Sequence, residues 1–125
     1  MALLMISGAA WGQATAPDWQ AIRGDRARFY RTLGVHMAAA QIHEVCAGPN
    51  GPNLGTRLSI FALRQEWIAL QQAASMLRDS AQWLHAAREH QVDTTRELLA
   101  LQPDAGCQRA ERILALSRDL LGLSP

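Results

Sequence analysis

The sequence predicts an all-α fold, an up-down four-helix bundle closed by one disulfide, and three observations carry that expectation. Between Thr56 and Leu101 there is neither glycine nor proline. β-Branched residues are sparse there, while Ala, Leu, Gln and Arg, which sacrifice little on entering a helix, abound. Ile60, Leu63, Trp67, Leu70, Ala74, Leu77, Ala81 and Leu84 follow in alternating steps of three and four, the spacing of a continuous apolar seam.

The chain opens on an uncharged apolar stretch from Ala2 to Gly12, followed by Gly12-Gln13-Ala14 with small residues at both ends. That order matches a secretory leader cut after Ala14, so residues 1–14 are expected to be a signal peptide and 15–125 a single helical domain beginning at Thr15. No Lys or Arg precedes the run; an upstream start, or an apolar first helix packed on the core, is the other reading.

The first helix is expected to start at Asp18, an N-cap residue after Pro17, and to end near Cys46. Its inward stripe reads Trp19, Ile22, Phe29, Tyr30, Leu33, Met37 and Ala40, with Gly24 and Gly34 marking a kink or a close neighbour. Residues 47–55 hold three Gly, two Pro and two Asn, which cannot continue a helix. From Thr56 two readings compete. The seam reads as one helix to about His90 and three long helices in all, and Thr94 with Glu97, spaced as a capping box, favours that version. Alternatively the stretch breaks near residues 78–80, where Asp79 or Ser80 could cap a new helix. The segment 102–106 is a further break, and the last helix runs from about Cys107 to Leu121 with Ala110, Ile113, Leu114, Leu116 and Leu120 inward.

Cys46 and Cys107 choose between these readings. An even pair with no metal-like spacing suits a disulfide in an oxidising compartment. Its geometry needs Cα atoms within about 7 Å. In the four-helix order the end of helix one meets the start of the last helix; with three long helices Cys107 lies far from Cys46.

Twelve Arg, no Lys and eleven acids leave a net charge of +1, which argues against a nucleic-acid or polybasic membrane binder. No apolar run is long enough for a membrane span. Arg23, Arg26, Arg28 and Arg31 point around helix one rather than along one stripe and read as a solvated face. Ser59, Ser75, Ser80 and Ser117 sit on helices without a nucleophile elbow, and Gly48-Pro49-Asn50-Gly51 lacks the residues of a phosphate loop, so no catalytic set is expected. The acids Glu66, Asp79, Glu89 and Glu97 are expected to pair with nearby arginines.

No cofactor is expected. The alternative is a metal ion, or more remotely a haem with Met37 or Met76, held between helices by His36, His43 and His90, with His85 on the same stretch. The stronger signal is apolar surplus. Leu58, Phe61, Ile68, Met76 and Trp83 fall outside the seam and form either a wide core face or an exposed patch that binds another envelope protein or a second copy. The function expected is therefore a small exported, periplasmic or secreted, non-catalytic protein–protein interaction module, such as an assembly factor, a chaperone-like protein or an inhibitor.

Overall fold

The structure, a computed structural model, describes residue 22, residues 24–47 and residues 54–121. The expected leader, Asp18, Trp19 and Arg23 lie outside them. Four helices follow in order: α1 (Arg26–Ala47), α2 (Leu54–Ala74), α3 (Arg78–Ala100) and α4 (Pro103–Leu120). No strand occurs among the described residues, and none of their helices is long and apolar enough to cross a membrane.

The fold is the four-helix bundle, and side-chain pairs give its directions. Tyr30 stacks on Trp83 at a centroid distance of 6.2 Å, and Gly34 abuts Ala87 further along, so α1 and α3 run the same way. His36 meets Ser117 while Cys46 meets Cys107, so α4 runs against α1. The short turn at 75–77 folds α3 back on α2, with Gln71 and Ala74 sharing a surface cleft with Ala81, Leu84 and Arg88, so α2 runs against α3. The Cys46–Cys107 disulfide joins the end of α1 to the first turns of α4, with Cα atoms 5.9 Å apart.

α1 is the central helix. Residues His36, Met37, Ala38, Ala39 and Ala40 are all buried. Five consecutive buried positions exceed one turn of 3.6 residues, so neighbours cover α1 on every side there. Its most extensive contact is with α3. Small residues allow that approach: a Cβ built on Gly34 would overlap the Ala87 carbonyl oxygen. The expected inward stripe of α1 is buried or half-buried from Ile22 to Ala40, but it omitted Gly34, His36, Ala38 and Ala39, which complete the circle.

Four boundary expectations are corrected. α1 does not run unbroken from Asp18: the backbone bends at Asp25, whose Oδ1 accepts the Arg28 N–H at 3.1 Å as the cap of α1. The break between α2 and α3 lies at residues 75–77, not 78–80. Ser75 Oγ donates to the Gln72 carbonyl at 2.7 Å, and Leu77 adopts extended backbone (φ −123°, ψ 128°) as an N-cap without a side-chain cap. Asp79 sits in the first turn of α3, where a negative charge favours the helix dipole. The apolar seam therefore ends at Ala74, and Leu77, expected in the core, is 59% exposed. Thr94 caps nothing; it is buried inside α3. Finally, α4 starts at Pro103 rather than Cys107. Proline at the first helical position lacks only an N–H that would be unpaired anyway. Gly106 then lets α4 approach α3, since a Cβ there would lie 2.7 Å from the Leu98 carbonyl oxygen.

One core cluster joins all four helices around Leu33, Met37, Ile60, Leu63, Leu70, Leu84, Leu98 and Leu114. A smaller cluster of Ile22, Phe29 and Leu120 closes the end away from the disulfide.

Candidate interaction surface

α2 carries two apolar stripes. One faces the bundle: Ile60, Leu63 and Leu70 are buried, and Trp67 and Ala74 pack against them. The second lies on the other side of the same helix. Leu58, Phe61 and Ile68 are 55%, 61% and 45% exposed, and Gln65 and Gln72 continue the same spacing, also exposed. At 100° per residue these five positions occupy one band of the helix surface. Charge is thin along it. Between Leu58 and Gln72 the charged residues are Arg64 and Glu66. Arg64 lies on the flank and donates to the Glu44 carboxylate of α1, and Glu66 is half-buried on the core side.

The other two residues expected to join this patch do not extend the stripe. Met76 is 79% exposed, but it sits in the turn after α2. Trp83 is half-buried: its ring packs against the core cluster and stacks on Tyr30, so it belongs to the α1–α3 contact. The sequence could not tell these cases apart, because the partner of Trp83 lies on a helix that only the tertiary fold brings alongside.

A further apolar feature escaped sequence reasoning. At the disulfide end, Ile42, Val45, Leu98, Leu99, Leu101 and Pro103 line a groove of about 320 Å³ beside the Cys46–Cys107 bridge. Val45 and Leu99 are strongly exposed. Two stretches of chain far apart in sequence, 42–46 and 98–107, build it, so no periodicity in either one announces it.

The histidines do not assemble a metal centre. Among the described residues no three His, Cys, Asp or Glu side chains lie where they could share an ion. His36 is buried, and its Nδ1 is hydrogen-bonded to Ser117 Oγ at 2.5 Å, across α1 and α4. Burial pulls its pKa from 6.5 down to about 4, so the ring is neutral at neutral pH. His43 and His90 are half-exposed. His85 is exposed and lies 3.6 Å from Glu89 one turn on. Ser117 is fully buried and presents no nucleophile to solvent.

The expected pairing of Glu66, Asp79, Glu89 and Glu97 with arginines is not found among the described residues: Glu89 faces His85, and the acids that meet arginines are Glu44 and Asp93. Asp93 lies 3.4 Å from Arg96 on exposed α3 surface, where such a pair contributes little. Arg26, Arg28 and Arg31 are exposed around the first turns of α1. Comparison with known protein families, with curated proteins and with solved structures found no match to this chain.

Proposed function

We propose that this protein is a small exported, non-catalytic interaction module that acts by binding a protein through the outward face of α2. The observation that carries the reading is the second stripe, Leu58, Phe61 and Ile68, which is apolar, exposed and uncharged along its length. The cores of protein interfaces are depleted of charge and enriched in aromatic residues, and Phe61 sits at such a position. The disulfide supports residence in an oxidising compartment, the periplasm or the exterior, where such bonds persist. An assembly factor, a chaperone-like protein and an inhibitor all fit this class.

The test is site-specific photo-crosslinking in the native host. A photoreactive phenylalanine analogue at position 61 should give a discrete protein adduct. The same analogue at the exposed Glu111 of α4 should not. Equal labelling from both positions, or none from 61, would contradict the reading.

A further inference from the structure

The spacing of the outward stripe points to a specific occupant: a second copy of the same helix, packed antiparallel about a two-fold axis through Gln65. This rests on the reading of α2 as the interaction surface and adds the partner. Leu58, Phe61, Gln65, Ile68 and Gln72 are separated by three, four, three and four residues, the a/d spacing of helices that pack side by side. The pattern is nearly symmetric about its centre. Reversing one helix over the other sets Leu58 against Gln72 of the second copy, Gln65 against its own equivalent, and Phe61 level with Ala69, one residue from Ile68. A glutamine amide carries both donors and an acceptor, so two of them satisfy each other across an axis. A polar residue at such a central position sets register.

Charge agrees with self-pairing. An isologous contact places like residues near like, which penalises a face bearing net charge. Here Gln65, Ala69 and Gln72 are uncharged; of the two flanking cations, Arg64 is matched by Glu44, and Arg57 lies at the outer end of the stripe, about 12 Å along the helix from the axis. Two such ion pairs brought together across the axis remain neutral. The stripe is about 21 Å long at 1.5 Å per residue. A single helix face of that length falls at the small end of specific interfaces, below about 1,200 Å² in total. The dimer is accordingly a concentration-dependent one.

Sedimentation of the full disulfide-bonded chain across low to high micromolar concentration should show mass rising from one copy toward two. Phe61→Arg should weaken association at least about tenfold, because it places two charges in the centre of the face. Gln65→Cys should form a covalent dimer under mild oxidation. Gln72→Cys should do so only when mixed with Leu58→Cys chains. A monomer throughout, a dimer indifferent to Phe61→Arg, or equal crosslinking of Gln72→Cys alone would overturn the proposal. If sedimentation shows a monomer while the photoreactive group at 61 captures a different protein, self-pairing falls and the interaction reading stands. If position 61 captures nothing, both fall.

Discussion

α1 and α2 have nearly the same length, 22 and 21 residues, and opposite relations to the rest of the molecule. α1 is enclosed, with alanine, glycine and a neutral histidine where neighbouring backbones come closest. α2 buries one stripe of large side chains and leaves another of similar character in water. The difference shows that apolarity alone does not assign a residue to the core. What matters is whether the topology brings a neighbour to that face. α1 has neighbours all round because α3 and α4 both return to it. α2 has them on one side.

The largest expected effect concerns the bond that fastens α4 to the enclosed helix. Replacing Cys46 and Cys107 by serine should cost about 4 kcal/mol, because the crosslink closes 61 residues of the unfolded chain. Urea denaturation of the variant, or of reduced protein, measures the loss. Next comes the close approach at Gly34. Gly34→Ala forces a methyl group into the Ala87 carbonyl and should destabilise by about 3 kcal/mol, while Gly24→Ala, with open space around it, should change stability by under about 1 kcal/mol. Similar losses at both glycines would mean that α1 is not tightly enclosed at its middle.

Acid should act on α1 through His36. Its pKa is lowered on folding, so the unfolded chain takes up the proton first as pH falls. Stability is complete above 6.5 and declines toward about 4, by about 3 kcal/mol in all. Denaturation midpoints over that window check it, and His36→Gln should flatten the slope relative to the parent chain. A smaller contrast lies along the apolar seam: Leu70→Ala should cost about 2–5 kcal/mol and Leu77→Ala under about 0.5 kcal/mol, since one is buried and the other exposed.

That last pair also shows where the sequence ran out. Leu77 kept the three-four spacing perfectly, yet spacing reports only phase along a chain. A short turn at 75–77 can preserve the phase while ending the helix, and the Ser75 hydroxyl bond that helps to end it has no periodic signature. The cysteine pairing was legible because an even pair without metal-like spacing suits one bond, and that bond in turn selected the topology in which the two helix ends meet. The enclosure of α1 was only half legible: Leu33 and Met37 stand out as core and Gly34 as a kink or a point of close approach, whereas Ala38 and Ala39 look neutral until a neighbour arrives. Pro103 read as a breaker because the same residue stops a helix from within and starts one from its first position. Leu58, Phe61 and Ile68 were visible as surplus beside the seam. Trp83 looked the same and packs inside, on Tyr30, a distinction only the fold makes.

The claim that α2 wears one stripe for folding and one for binding is tested most directly by two substitutions two residues apart. Unfolding free energies of Leu63→Ala and Phe61→Ala should be measured at protein concentrations too low for association. Leu63 is fully buried and Phe61 is 61% exposed. Leu63→Ala should cost about 2–5 kcal/mol and Phe61→Ala no more than about 0.5 kcal/mol. A loss at Phe61 equal to that at Leu63 would mean the outward stripe is covered within a single chain, and the surface proposed for a partner would not exist.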